Sequence, residues 1–182
     1  IDKKIKTNIL PGQFINIRIN NIFLRRPFGV LAFENNILSI LYKTVGKGTK
    51  ILSQIKKGQQ INIIYPLGNG FDIKFIKKNS DKFLLLVAGG VGIVPVYYLI
   101  SFLNKYKINY RLIVGYKNIQ QSFYIDELKS ITNNNVVFFT DDGSFGKKGV
   151  VIDYISENLR KNTIIYACGP DKMLIKLKDI LK

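Results

Sequence analysis

The sequence predicts two domains, a small antiparallel β-barrel over residues 1–78 and a doubly wound parallel α/β domain over residues 79–182. Three observations predict this class. Short apolar runs separated by turn residues fill the first part. After a polar run at 77–82, strand and helix patterns alternate. Within the second part, a strand, a glycine-rich turn and a helix follow one another over 83–105.

The first part contains three strand-like segments, at 14–19, 37–42 and 60–65, in which apolar residues alternate or form short runs. Pro, Gly and Asn turn signals separate them, and many short strands of this kind are typical of a small antiparallel barrel. A helix is predicted over 49–55. Because the sequence begins with Ile rather than Met, we expect the first barrel strand to lie before residue 1.

The second part follows a β-α-β-α rhythm, which predicts a parallel sheet covered by helices. The segments were assigned from apolar runs and from apolar stripes at helical spacing. We predict strands at 83–88, 110–115, 136–140 and 163–167, and helices near 94–105, 122–131, 149–158 and 171–181.

The glycine turn indicates a phosphate or dinucleotide site. Residues 83–87 are apolar without a break, as in a strand buried on both faces. Gly89, Gly90 and Gly92 then leave the backbone bare, and Pro95 is suited to the start of a helix whose N–H groups point outward. A tight turn in any α/β domain is the alternative reading of the same residues.

The turn does not match the standard dinucleotide fingerprint, GxGxxG with an acidic residue about 20 positions later. Val94 or Pro95 stands at the third glycine position, and the next strand ends in Gly115-Tyr116-Lys117 without a carboxylate. An ordinary Rossmann dehydrogenase is therefore not expected. Ligands of open α/β sheets bind beyond the carboxyl ends of the strands, which here are expected at 88–92, 115–117, 140–144 and 168–170.

In the first part, Arg26 is followed by Pro27, and an arginine fixed in this way can present its planar fork to a pyrophosphate. The segment 46–49, GKGT, opens the predicted helix, and its N–H groups can hold the other side of the same group. Each feature alone is also common on ordinary protein surfaces.

Composition excludes several classes. The chain has 28 Lys and Arg against 12 Asp and Glu, a net charge of +16, but the lysines are scattered and lack interleaved aromatic residues. We therefore interpret the charge as solvated surface and expect neither nucleic acid nor a membrane as partner. One cysteine and no histidine exclude a disulfide framework, the usual zinc sites and Ser-His catalysis, so no metal ligands are predicted. A reducing, cytoplasmic location is expected.

The motifs taken together resemble the ferredoxin–NADP reductase superfamily, and within it the family of electron-transfer subunits of type B dihydroorotate dehydrogenases. The phrases LRRP, ILYKTVGKGTK, PLGNGF, TDDGSFGKKG and YACGPDKML carry the resemblance, which covers nearly all of the chain. The motifs occur in the order Pro11-Gly12-Gln13-Phe14, Arg26-Pro27, Gly46-x-Gly48-Thr49, Gly89-Gly90-x-Gly92-x-x-Pro95 and Cys168-Gly169-Pro170.

The resemblance implies an FAD-binding barrel joined to an NAD-binding α/β domain, with Cys168 near the nicotinamide ring as a packing and polarising group at the catalytic position. The implied FAD contacts are Arg26, Pro27, Phe28, Gly29, Tyr42, Lys43, Thr44, Gly48 and Thr49. The implied NAD contacts are Gly89, Gly90, Gly92, Asp141, Asp142, Gly143, Ser144, Gly169, Pro170 and Met173.

The resemblance also implies an activity: electrons pass between dihydroorotate oxidation, in a partner catalytic subunit with FMN, and NAD, in pyrimidine biosynthesis. In the family they cross a [2Fe-2S] cluster held by four cysteines. This sequence has only Cys168 and lacks those ligands, and Gly29 replaces a serine or threonine of the family pattern.

Two other functions stay open at this point. One is a stand-alone NAD(P)H–flavin or ferredoxin-type reductase, and the other is a degenerate, non-enzymatic nucleotide-binding subunit. NADP is also open as the nucleotide, because Lys117, Lys147 and Lys148 can reach a 2′-phosphate.

Overall fold

The computed structural model describes residues 8–181, so the first seven residues of the predicted barrel domain lie outside the described part. The chain divides into two compact units, Ile1–Phe71 and Asp72–Lys182. The division falls at 71/72 rather than at 78/79, because residues 73–78 form a helix of the second unit.

This helix, α2, spans Ile73–Lys78. The Asp72 carboxylate accepts a hydrogen bond from the Phe75 N–H at 2.9 Å and caps it, and Ile76 is fully buried. Lys77 and Lys78, the first residues of the polar run, lie in its last turn. The apolar pattern did not predict this helix, because the helix has only six residues and three of them are lysines.

The first unit contains a four-stranded antiparallel sheet with the order β3-β2-β1-β4. The prediction of antiparallel β structure is confirmed. Its elements are β1 (Phe14–Ile17), β2 (Arg26–Glu34), β3 (Ile37–Ile40), α1 (Lys47–Leu52) and β4 (Ile63–Leu67).

Strand β2, the longest of the first unit, was missing from the predicted strands because proline is rare inside strands. Pro27 is paired with Asn16 of β1, whereas β3 pairs with β2 only from Val30 onward. The proline therefore lies where β1 is the only described partner of β2. At such a position the missing N–H removes no bond to a second strand.

The second unit contains a five-stranded sheet in the order β8-β7-β6-β5-β9 with all strands parallel, which confirms the predicted α/β class. Its strands are β5 (Phe83–Gly89), β6 (Tyr110–Tyr116), β7 (Val136–Thr140), β8 (Lys147–Lys148) and β9 (Thr163–Cys168). Besides α2, its helices are α3 (Ile93–Lys105), α4 (Ile125–Ile131), α5 (Val151–Asn158) and α6 (Asp171–Ile180).

Helix α4 begins at Ile125, not at residue 122 as predicted, because Tyr124 has a left-handed backbone (φ +62°) that a helix cannot contain. The Tyr116 hydroxyl donates a hydrogen bond to the Phe123 carbonyl at 2.7 Å and holds the segment before the helix. A 3₁₀ turn at Ile119–Gln121 precedes this segment.

Apolar side chains fill both faces of the parallel sheet. On one face, Leu85, Val87 and Ile113 pack with residues of α5 and α6 in a buried cluster. On α3, four apolar residues at helical spacing are fully buried, as the predicted stripe required: Val96, Leu99, Ile100 and Leu103. The sheet is thus a rigid base for the loops at its carboxyl edge. Within residues 8–181, no helix has the length and apolarity to cross a membrane.

Candidate functional site

The carboxyl edge of the parallel sheet gathers the residues expected to bind NAD. Because β5, β6, β7 and β9 are parallel, the loops that follow them meet at one edge. The ten predicted NAD contacts and Cys168 all lie in or next to three of these loops. They are Gly89, Gly90 and Gly92 after β5, Asp141, Asp142, Gly143 and Ser144 after β7, and Cys168, Gly169, Pro170 and Met173 after β9.

The glycine turn packs directly against the segment after β9. A Cβ atom on Gly92 would overlap the carbonyl oxygen of Cys168, and one on Gly89 would lie 2.8 Å from Pro170 Cδ. These two positions therefore need glycine for packing. Pro95 is the third residue of α3 rather than its first, but it still lies in the first turn, where its missing N–H has no intrahelical partner.

Gly90 differs from its neighbours. Its φ is +52°, and no heavy atom lies within 4 Å of the place where a Cβ would stand. The turn leads into α3, which has 13 residues and no acidic side chain in its first turn. A phosphate group fits this place, because the backbone N–H groups are not covered by a side chain and the positive end of the helix dipole favours negative charge. The residues present thus fit a dinucleotide.

The segment after β9 is held by close contacts of its own. A Cβ on Gly169 would lie 2.5 Å from Met173 Cε and 3.0 Å from the Gly89 nitrogen. Burial raises the pKa of the Cys168 thiol. Since only the thiolate is a strong nucleophile, this cysteine is suited to packing rather than to covalent catalysis at neutral pH.

The loop after β7 is tied to the loop after β6. The Asp142 carboxylate accepts hydrogen bonds from the Ser144 hydroxyl at 2.6 Å and the Ser144 N–H at 2.9 Å, which lower the pKa of Asp142. The Ser144 oxygen in turn accepts a bond from the Ile119 N–H at 2.8 Å. The predicted NAD-contacting loop is therefore fixed by its own hydrogen bonds.

Sequence reasoning missed a set of aromatic residues beside this edge. The Tyr116 and Phe123 rings meet edge-on with centroids 5.3 Å apart, and burial raises the pKa of Tyr116. The Tyr97 and Tyr124 rings make a second edge-on pair at 5.3 Å. Only the fold brings Tyr97 and Tyr116 to Tyr124 and Phe123.

In the first unit, Arg26 lies next to the predicted pyrophosphate turn. Its Nε is 3.8 Å from the place where a Cβ on Gly48 would stand, and nothing lies within 4 Å of the same place on Gly46. Within residues 8–181, the only hydrogen bond of the Arg26 guanidinium runs to the Leu24 carbonyl, at 3.3 Å. Its other N–H groups fit an anionic oxygen beside the start of α1.

Arg25 has a different role from its neighbour. Its Nη2 donates to Asn62 Oδ1 at 2.6 Å and its Nη1 donates to the Asn62 carbonyl at 3.3 Å. These bonds tie the chain before β2 to the chain before β4. Arg25 is therefore a structural residue, and it was not among the predicted FAD contacts.

The remaining predicted FAD contacts lie in β2 and around α1. Pro27, Phe28 and Gly29 follow Arg26 in β2, and the Phe28 ring meets Tyr42 edge-on at 5.4 Å. Lys43 and Thr44 are exposed in the loop before α1. The Thr49 hydroxyl accepts from the Val45 and Gly46 N–H groups at 3.0 and 3.1 Å, so it closes the turn before the helix.

Comparison with known proteins defines the class. Residues 86–179 match the family described as the oxidoreductase NAD-binding domain. The structure is similar to an NADH-dependent reduced ferredoxin–NADP oxidoreductase, with 32% identity and a TM-score of 0.78, over 92% of this chain and 60% of that one. It is also similar to the FAD/NAD-binding domain of a nitric oxide dioxygenase from Vibrio cholerae, with 18% identity and a TM-score of 0.80, over 96% and 80%. The fold is that of a ferredoxin-reductase-like oxidoreductase.

Among curated proteins, the chain is 39% identical to the dihydroorotate dehydrogenase B (NAD⁺) electron transfer subunit of Fusobacterium nucleatum, over 94% of this chain and 70% of that protein. It is 39% identical to the subunit of the same name from Caldanaerobacter subterraneus, over 93% and 65%. The chain belongs to this family of electron transfer subunits, and it spans 65% of the second relative's length.

A metal site was not predicted in this chain. Within residues 8–181, no three His, Cys, Asp or Glu side chains are grouped as metal ligands would be.

Proposed function

We propose that this chain is the FAD- and NAD-binding part of an electron transfer subunit that connects dihydroorotate oxidation with NAD. The observation that carries the proposal is the open glycine turn at Gly90, packed on the Cys168–Pro170 segment inside the matched NAD-binding domain. The names of the relatives supply the substrate.

The second unit would hold the nicotinamide nucleotide. The backbone at Gly90 and the start of α3 would bind phosphate oxygens, because bare N–H groups and the helix dipole favour negative charge there. The loop 141–144 would position the nucleotide, since Ser144 fixes that loop to the Ile119 N–H. Met173 and the neutral Cys168 thiol would supply polarisable packing at the same edge.

The first unit would hold FAD. Arg26 would donate charge-assisted hydrogen bonds to a phosphate oxygen, and the backbone around Gly46 and Gly48 would approach the same group from the start of α1. The half-buried Tyr42, packed on Phe28, would line the site beside them. Gly29 has no hydroxyl to offer, so its backbone N–H would act as donor in place of the family's serine or threonine.

When bound, FAD supplies the exchange between two-electron hydride transfer and single-electron steps. The chain itself supplies binding and orientation. Its Cys168 keeps its proton at neutral pH, so it polarises and packs without forming a bond.

The proposal includes a partner. The relatives are named as subunits, which supports a hetero-oligomer with a catalytic, FMN-containing subunit that oxidises dihydroorotate. The ligands of a [2Fe-2S] cluster would have to come from outside this sequence, which has a single cysteine. A place in pyrimidine biosynthesis and a cytoplasmic location belong to the same proposal.

The first test is FAD binding by an Arg26 variant. Arg26→Ala should raise the Kd for FAD about tenfold or more, because a charge-assisted bond contributes ~1.5–3 kcal/mol. The measurement is a titration of the chain with FAD, followed by the quenching of flavin fluorescence.

Arg18→Ala is the matched control, because Arg18 is an exposed arginine of the same unit and its variant loses the same charge. Its FAD affinity should stay at that of the wild type. Equal affinities of the Arg26 and Arg18 variants would remove Arg26 from the proposed site.

A further inference from the structure

We propose that the amino edge of the parallel sheet holds a second ligand site, a cleft for a small carboxylate with an apolar body. It lies at the opposite end of the strands from the glycine turn. Phe83 and Thr163 are the first residues of β5 and β9 and are paired in the sheet. The cleft is small, with a cavity volume of about 60 Å³, and it opens to solvent. Because β5 rises ~3.3 Å per residue, the cleft is roughly 20 Å from Gly89.

Two arginines supply the charge of the cleft. Arg111 on β6 and Arg160 after α5 both line it, and no carboxylate lines it. Within residues 8–181 neither guanidinium makes an ion pair, and the only hydrogen bond of the Arg111 side chain is a long one, from Nε to Asn135 Oδ1 at 3.5 Å. Their two full positive charges exceed the partial negative charge at the end of α5, so the cleft attracts anions.

The arginine after α5 is held in place. Its guanidinium lies over the Phe83 ring, 5.1 Å from the centroid, and the Thr163 hydroxyl donates to the Arg160 carbonyl at 2.8 Å. An arginine that is already ordered loses less side-chain entropy when it binds a ligand. Because the guanidinium stacks on the ring with its flat face, the N–H donors along its edge remain available to a ligand.

The other lining residues are mostly apolar or aromatic, and Asn158 and Thr163 add polar groups. Leu85, Ile113 and Ile155 are buried in its floor, and Tyr154 stands beside them. A planar carboxylate matches the arginine fork, and an apolar body matches the floor. The ligand class is therefore a small apolar carboxylate, bound independently of FAD and NAD.

The test uses benzoate as probe and the uncharged benzamide as its matched control. Amide NMR spectra of the ¹⁵N-labelled 182-residue chain are recorded while each compound is added. Benzoate should shift the amides of Arg111, Arg160 and Thr163 saturably, at roughly 1–10 mM, and should leave those of Gly89–Gly92 in place. Benzamide should bind at least about tenfold more weakly, because it cannot make the charge-assisted bonds.

Two variants complete the test. Arg160→Gln should weaken benzoate binding about tenfold, whereas Lys161→Gln, which removes the same charge from the adjacent exposed residue, should leave it within about twofold. Equal binding of benzamide and benzoate, shifts confined to the glycine turn, or equal effects of the two variants would each overturn the proposal. The comparison of the two probes needs no variant, so it stands even where a variant folds poorly.

Discussion

At Gly90 the backbone defines the proposed nucleotide site, because a positive φ and open space on the Cβ side occur together there. The neighbouring glycines serve packing, since side chains on Gly89 or Gly92 would meet Pro170 or Cys168. A substitution at Gly90 therefore separates ligand binding from folding.

Gly90→Asn should weaken the binding of NADH about tenfold or more. Asparagine tolerates a left-handed backbone, so the turn keeps its shape while the side chain fills the space that a phosphate would occupy. The measurement is a titration with NADH, together with the free energy of unfolding in urea.

Gly58→Asn is the control for backbone strain, because Gly58 also has a positive φ (+89°) and nothing near its Cβ position. Both variants should lose about 1 kcal/mol of stability or less. Only the Gly90 variant should lose nucleotide affinity, and a similar loss at Gly58 would show that strain, and not occupied space, is the cause.

Cys168 allows a pH test, because it is the only cysteine of the sequence and any thiol label reports on it. Burial raises its pKa above the ordinary value of 9.0, so the thiolate fraction of the folded protein should lag behind that of the unfolded chain as pH rises. Alkylation by iodoacetamide should be slower in the native protein than in urea at pH 8, and the native rate should still rise above pH 9.

The same shift has a consequence for stability. A raised pKa means that the folded state holds the Cys168 proton more tightly than the unfolded state does. The stabilisation that results is fully present below the unfolded pKa of the thiol and is lost as pH rises through the folded pKa. Native and unfolded rates that follow one pH curve would contradict the account of Cys168 as a neutral packing group.

At the scale of elements, the parallel strands place four loops at one edge, and hydrogen bonds between loops fix their conformation. Ser144 is the link, because it donates to Asp142 and accepts from the Ile119 N–H. The loop after β7 and the loop after β6 should therefore loosen together when this hydroxyl is removed.

Ser144→Ala should speed hydrogen exchange of the Ile119 amide about fivefold, as expected for the loss of ~1 kcal/mol of hydrogen bonding. It should also raise the pKa of Asp142 toward its ordinary value, because the Ser144 hydroxyl is the main cause of the lowered pKa. Both changes are measured by NMR.

Ser156→Ala removes an exposed hydroxyl whose bond runs to the Asp153 carbonyl within α5, and it should leave both readouts unchanged. An unchanged Ile119 exchange rate in the Ser144 variant would show that the two loops are not coupled through this residue.

Elements with a strong apolar pattern were predictable from the sequence, and those shaped by single backbone positions were not. The apolar run at 83–87 correctly predicted β5, because a strand buried on both faces needs unbroken apolar residues. Strand β2 was missed because Pro27 argues against a strand unless its partner strands are known. The start of α4 was misplaced because the left-handed Tyr124 is fixed by the bond from Tyr116 to Phe123, which only the fold brings together.

The candidate sites show the same limit. Glycine and Arg-Pro motifs could be picked out from the sequence as candidate site residues, because exposed backbone N–H groups and a fixed guanidinium can bind phosphates. The following proline pointed to Arg26, but the structural role of Arg25 depends on Asn62, far along the chain, and could not be predicted from the sequence. The cleft between Arg111 and Arg160 left no sequence motif because its residues come from separate elements.

At the scale of the whole molecule, two units with different architectures carry two proposed functions. The first has an antiparallel sheet with Arg26 beside an open turn, and the second has a parallel sheet with a glycine turn beside a helix start. The central claim is that both belong to one electron path, in which NADH bound by the second unit exchanges electrons with FAD bound by the first.

The measurement that tests this claim most directly is the visible absorption spectrum of the chain reconstituted with FAD, recorded before and after NADH is added without oxygen. The wild type should show a bound flavin spectrum that bleaches with NADH, and Gly90→Asn should bleach much more slowly at the same NADH concentration. A folded chain that binds no FAD, or that binds FAD without any bleaching by NADH, would contradict it.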